Sequence, residues 1–164
     1  MIEANLIGSN LTEANLGSAK LTGRFTREGS FSRGANLTRC ILKGVDLSQA
    51  DCHGADIADA DLREANLSNS NLIETDLKRA NLSAANLTGA NLSESNLRKA
   101  TLTGANFKDV CLLETKLSGV DLSQVVNLSP KEVTLAIIDK KTKVPNNLEI
   151  NWFSDETFEC KSRS

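Results

Sequence analysis

The 164-residue chain has no tyrosine, one tryptophan and five phenylalanines. An ordinary globular core draws much of its volume from aromatic rings, so this composition argues against one. Charge is nearly balanced, at −2 near neutral pH. That supplies neither the basic field of a nucleic-acid binder nor a strong acidic field. No apolar run approaches the length of a membrane span. His53 is the single histidine, and no Cys-x-x-Cys or His-x-x-x-His spacing that would hold a metal exists. A Gly-rich phosphate loop and a G-x-S-x-G turn are missing as well. Asp59, Asp61 and Glu64 cluster in sequence but fall on different sides of a corner. The expectation is a protein without catalytic residues, cofactor or metal. Met1 leads straight into Ile2 and repeat residues with no basic leader, so the expected location is cytoplasmic.

What the chain does have is a period. From Ala65 to Gly89 it reads A-N-L-S-N, S-N-L-I-E, T-D-L-K-R, A-N-L-S-A, A-N-L-T-G. Taking each Leu as the centre i, the register holds from Leu37 to Leu122, with Cys52, Ile57 and Phe107 standing in for Leu. An earlier run has centres Leu6, Leu11, Leu16, Leu21, Thr26 and Phe31, then a six-residue step to Leu37 that reads as one inserted residue, Gly34. A period of five drifts around an α-helix by about 140° per step, and a strand needs a period of two. Each block must therefore contain its own turn. Residues i and i−2, mostly Leu and Ala, point inward; i−1, i+1 and i+2 point outward. A short side plus a turn, repeated, is a coil that stacks on the next coil.

These blocks resemble the pentapeptide-repeat proteins, whose pattern is [STAV]-[DN]-[LF]-[STR]-[G]. The resemblance covers roughly residues 1–125. It implies an all-β, right-handed quadrilateral β-helix with four blocks per square coil. About six coils at an inter-strand spacing of about 4.8 Å make a rod roughly 30 Å long. Some members of the family resemble B-form DNA, bind type II topoisomerases and are strongly acidic. The alternative function that the resemblance implies is thus a DNA mimic that binds gyrase, from which this chain departs in charge.

Along the chain, the repeat begins almost at once, at Ala4-Asn5-Leu6. Residues 24–34 are irregular and read as a bulge or small loop. The array spans 1–125, and 126–164 is a capping segment and tail. Ser129-Pro130-Lys131-Glu132 is a helix start, with Ser129 as N-cap, Pro130 at the first helical position and Glu132 completing a capping box. A helix of about ten residues is expected to lie over Leu117 and Leu122 as a C-terminal α-helical cap. The L-S-P-K-E-V…T-K-V-P-N-N-L pattern looks like the segment that follows many cyanobacterial pentapeptide-repeat arrays. Trp152, Phe153 and Phe158 either fold onto the cap or seat a dimer, so the chain is expected to be a monomer or a homodimer through an end of the rod.

With four blocks per coil, every twentieth residue stacks. One face carries Arg39, Lys78, Arg79, Arg98, Lys99 and Lys116, along with Asp56, Asp59 and Asp76. Its neighbour carries Asp51, Glu74, Glu94 and Glu114. Like charges about 5 Å apart on adjacent coils cost stability. That cost motivates reading Arg39, Lys78, Arg79, Arg98, Lys99, Glu74, Glu94 and Glu114 as a protein-binding stripe; the other reading is a solvated surface with compensating charges. The function expected is a non-enzymatic scaffold for an unidentified partner protein, with no nucleic acid or membrane involved. Cys40 and Cys52 read as core residues. Cys111 and Cys160 read either as free thiols or as a disulfide tying the tail to the last full coil.

Overall fold

The structure, a computed structural model, describes residues 5–17, 19–21, 24–25, 31–32, 34–155 and 157–163, with the backbone alone at 24–25 and 31–32. Each five-residue block forms one short side and one tight turn. In the block centred on Leu37, the Cys40 N–H donates to the Leu37 carbonyl at 3.0 Å, closing a β-turn over Thr38 and Arg39. The same bond recurs from Ser9→Leu6 to Val125→Leu122. The third turn residue takes a positive φ in block after block, +58° at Arg39, +60° at Asp59 and +58° at Ala84. This conformation costs a residue with a Cβ about 1–2 kcal/mol. The backbone bonds between coils hold the turn there: Leu37 N–H donates to the Asp56 carbonyl at 2.7 Å and Arg39 N–H to the Ala58 carbonyl at 2.9 Å.

Parallel bridges link residues twenty apart, so four blocks close one square coil. Side 1 stacks Asn36, Asp56, Asp76, Asn96 and Lys116; side 2 stacks Ile41, Asp61, Asn81 and Thr101; side 3 stacks Asp46, Asn66, Asn86, Asn106 and Val126; side 4 stacks Asp51, Asn71, Asn91 and Cys111. Centres from Leu37 to Leu122 are fully buried, and the Ala residues two before them close the corners. Where the corner residue is Thr75, Ser95 or Thr115, its buried hydroxyl donates to a carbonyl of Cys52 or Leu92 at 2.6–2.9 Å. Among the described residues no buried side-chain polar atom lacks a partner, as expected where an orphaned one costs about 1–3 kcal/mol.

The Asn and Asp residues before each centre bond twice. Their Oδ1 accepts the N–H two residues on, as in Ser48→Asp46 at 2.9 Å and Thr88→Asn86 at 3.1 Å. On side 3 each amide also donates to the coil before it, Asn66→Asp46 at 3.1 Å, Asn86→Asn66 at 3.3 Å and Asn106→Asn86 at 3.5 Å. A short polar side chain that reaches both its own turn and its neighbour explains why Asn or Asp holds most of these positions.

The ends differ from the sequence expectation. Asn5, Asn10, Asn15 and Lys20 pair with Asn36, Ile41, Asp46 and Asp51, an offset of 31 rather than 20. The stretch between Leu21 and Gly34 therefore holds eleven residues more than a regular coil would. It includes a small antiparallel pair, β1 (Arg24–Phe25) and β2 (Phe31–Ser32), in which Phe31 faces Phe25. Phe31 is thus a hairpin residue and not a repeat centre, and the change of register is eleven residues and not one; Thr26 lies outside the described residues.

At the other end, α1 (Pro130–Leu135) has six residues, not ten, and is not a lid. It takes the place of side 4 in the last coil. Val126 pairs with Asn106 before it, then Ile137 pairs with Lys116 and Lys143 with Asp121 after it. The ladder thus runs on past residue 125, and side 1, counted from Asn5 to Ile137, has seven levels, one more than the sequence suggested. Lys143 is the last residue bridged to the coil before it. The Glu132 half of the capping box is formed, its carboxylate accepting from Ser129 N–H at 3.1 Å and from the Ser129 hydroxyl. The antiparallel hairpin β3 (Leu148–Trp152) and β4 (Phe158–Ser162) follows, burying Leu148 and Cys160 and stacking Trp152 on Phe158 at 5.1 Å between ring centres.

Candidate interaction side

Side 1 brings the predicted binding residues together. The third turn residues Glu74, Glu94 and Glu114 stack on one of its corners, joined by the bonds from Glu74 N–H to Ser93 and from Glu94 N–H to Leu113. The opposite corner stacks Arg39, Asp59, Arg79 and Lys99, with Lys78 and Arg98 beside them; Arg79 N–H donates to the Arg98 carbonyl. The flat strip between carries Asp56, Asp76, Asn96 and Lys116. A shallow groove runs along the acidic edge, lined by Glu74, Asp76, Glu94, Asn96, Glu114 and Lys116 and reaching the exposed Ile137.

The two corners are treated differently within the chain. Arg79 straddles Asp59 on the coil below, both contacts at 2.5 Å. That pair holds the Asp59 carboxyl below the usual carboxylate range, and Arg39 and Lys78 add to the effect. Glu74 lies 3.7 Å from His53. None of Arg39, Lys78, Arg98, Lys99, Glu94 and Glu114 forms an ion pair with a described residue. Of the two readings of the stripe, compensation within the chain therefore accounts for Arg79 and Asp59 and leaves most of the charge unpaired.

Sequence reasoning counted these charges by face and did not weigh their order within a block. Glu74-Thr75-Asp76-Leu77-Lys78-Arg79 places two acids, then two bases, across a single side, and Glu94-Ser95-Asn96-Leu97-Arg98-Lys99 nearly repeats it one coil on. Asp76, Asn96 and Lys116 belong to the groove for the same reason.

The Cys111–Cys160 pairing is not present; all four cysteines are free. Cys111 lies on side 4, its sulfur 3.3 Å from Ser93 Oγ, while Cys160 is buried in the hairpin opposite Ile150. Burial pushes the Cys52 thiol up to about 12. Among the described residues no group of three His, Cys, Asp or Glu is arranged to hold a metal, and no helix is long and apolar enough to cross a membrane.

Pentapeptide repeats match the chain in eight copies between residues 1 and 124. The chain belongs to the pentapeptide repeat family. Proteins of this family form right-handed quadrilateral β-helices, in keeping with the twenty-residue ladders. The chain is similar in fold to a pentapeptide repeat protein from the thylakoid lumen of Arabidopsis thaliana, with 27% identity and a TM-score of 0.58 over 66% of this chain and 68% of that one. HetL, involved in heterocyst differentiation regulation in the cyanobacterium Nostoc, is 35% identical over 76% of this chain, with a TM-score of 0.39; the chain spans 56% of HetL. A trypsin-treated QnrB1, a plasmid-mediated fluoroquinolone resistance protein, is 22% identical with a TM-score of 0.46 over 88% of this chain and 84% of that one. A search among curated proteins found no match.

Proposed function

We propose that this pentapeptide repeat protein is a non-enzymatic scaffold that binds a partner protein through side 1. The observation that carries the reading is the row of unpaired charges, Lys78, Arg98 and Lys99 on one corner against Glu94 and Glu114 on the other, fixed on backbone that the ladders hold rigid. A backbone held in place needs no ordering when a partner arrives, so only the side chains are ordered on association, and the arrangement of charges sets its orientation. The same reading takes the β3–β4 hairpin, which follows the coil that α1 helps to form, as the cap of the C-terminal end. The gyrase-binding alternative has less behind it, because a side on which Arg39, Lys78, Arg98, Lys99 and Lys116 form no ion pair with a described residue does not reproduce the uniformly negative surface of a DNA duplex. Supercoiling by gyrase should be unaffected at micromolar protein.

The test is quantitative capture from lysate of the source cell, comparing the wild type with a variant carrying E94K. A protein retained at low salt by the wild type and lost with the variant supports the reading. Equal retention by both proteins, or none by either, refutes it.

A further inference from the structure

Resting on that reading of side 1, we infer that its partner is a second copy of this chain, packed face to face with the two rods parallel. The order of charges selects this arrangement. Across side 1 the coil at Glu74–Arg79 runs acid, acid, base, base, and the next coil runs Glu94, Asn96, Arg98, Lys99. A two-fold axis parallel to the rod exchanges the two corners and leaves each coil at its own height. Glu74 then faces Arg79 of the second copy, Asp76 faces Lys78, Glu94 faces Lys99 and Asn96 faces Arg98. Symmetry makes each contact twice, as an isologous interface requires.

The other axis available to a face-to-face pair runs across the rod. It lays glutamate corner on glutamate corner and lysine corner on lysine corner, so repulsion excludes it. The parallel arrangement puts no two like charges opposite each other on any described coil. Asp59 meets Gly54, Asp56 meets Ala58, Glu114 meets Gly119 and Lys116 meets Ser118. Arg79, already bonded to Asp59, comes to lie between two carboxylates. The shape agrees as well: the groove along Asp76 and Asn96 receives the long side chains of Lys78 and Arg98. The residues that would pair are the ones the chain leaves unpaired, with Glu94, Lys78, Arg98 and Lys99 forming no ion pair of their own among the described residues. The chain is thus expected to self-associate through a flank of the rod rather than through an end.

Sedimentation equilibrium of the full chain tests this. At about 50 mM NaCl the wild type should form dimers in the micromolar range, and at about 500 mM the dissociation constant should rise at least about tenfold, because exposed ion pairs are screened. E94K alone and K99E alone each set two like-charged contacts in the interface and should be monomeric. Neither side chain forms an ion pair with a described residue, so both variants should keep the wild-type circular dichroism spectrum. An equimolar mixture of the two should dimerise again, as should the charge-swapped E94K/K99E. A wild type that stays monomeric at about 100 µM in low salt overturns the inference, as does an E94K variant that dimerises like the wild type or a mixture that stays monomeric. If the wild type is monomeric while capture of another protein still depends on Glu94, the scaffold reading stands and self-pairing falls. If neither capture nor dimerisation depends on Glu94, both fall.

Discussion

Gly34 is the residue at which eleven extra residues rejoin the coil, and an added Cβ there would meet backbone on every side. Its N–H donates to the Gly54 carbonyl at 3.1 Å, and the next N–H, of Ala35, donates to Leu21 at 2.8 Å. A Cβ added at Gly34 would stand 2.7 Å from Ala55 N, 2.8 Å from Ala55 Cα and 2.8 Å from the Leu21 carbonyl oxygen. All three atoms are backbone, two on the next coil and one at the start of the turn that Gly34 completes, so no side chain can swing away. Overpacking costs about 1–3 kcal/mol when a core can give. Here relief requires moving the backbone and losing one or both of those bonds, at about 1 kcal/mol each. Gly34→Ala should therefore destabilise by about 3 kcal/mol. In a chain of this size that is a fall in Tm of roughly 6–12 °C if unfolding is cooperative. A stacked array also permits a local outcome, in which the first coil detaches while the rest stays folded. Thermal melts give the first number. Amide exchange distinguishes the second, through loss of protection confined to Leu11, Leu16, Leu21 and their partners. Gly119→Ala is the control: its added Cβ meets nothing within 4 Å, and only the positive φ of 72° opposes it, a cost of about 1–2 kcal/mol. A G34A protein that melts within 1 °C of wild type would refute the steric argument.

Ala84 holds a φ of +58° at an exposed turn, so Ala84→Gly should stabilise by about 0.5–1 kcal/mol, the relief of the left-handed cost less the added freedom of the unfolded chain; denaturant melts check it. Ellman's reagent should modify Cys111 in the native protein and leave Cys52 untouched until unfolding, since burial holds the Cys52 thiol near 12. Lys143 and then Ser123 hold the Asp121 carboxyl at about 2. A depressed acid contributes stability above its unfolded value near 3.8 and loses it as pH falls from there through about 2. Lys143→Ala should move the Asp121 titration, followed by NMR, up towards 3.8, and about 0.5 M salt should reproduce part of that shift because the pair is exposed.

The repeat was legible because its two inward positions are chemically narrow. Leu at the centre and Ala two before it recur at an interval that no helix or strand accommodates, so the turn and the square section follow from sterics. Residues 24–34 were misread for the converse reason. Phe31 fell by chance in phase with the centres, and nothing in the residues themselves distinguishes a Phe in a coil from a Phe in a hairpin. The bridges from Asn5, Asn10, Asn15 and Lys20, each to a residue 31 further on, show that the array pauses for eleven residues. The tail misled through its own strength as a helix signal. Ser129-Pro130 does begin a helix, but the bonds of Ile137 to Thr115 and of Lys143 to Val120 make it one side of a coil, a non-local outcome that local capping chemistry does not contain.

The charged residues of side 1 were legible as types and not as an arrangement, and the reason bears on function. Three of every five residues point outward; the Asn or Asp before the centre is tied to the fold by the turn and ladder bonds it makes, and a Ser or Thr after the centre donates its hydroxyl to that same side chain, as Thr38 does to Asn36 and Ser83 to Asn81. The third turn position is nearly free: Arg, Asp, Glu, Lys, Ala and Gly all occupy it at similar φ. A position that the fold leaves free drifts unless something else constrains it, and drift does not readily set acid, acid, base, base across one coil and almost the same order across the next. Stacking glutamates on glutamates also costs stability, which a monomer would lower by alternating signs along each column, as Asp59 and Arg79 do. The columns of Glu74 and Glu94, and of Arg79 and Lys99, keep like on like where opposite charges were equally accommodated by the turn. Their order is therefore better explained by what lies across the face than by anything within the coil.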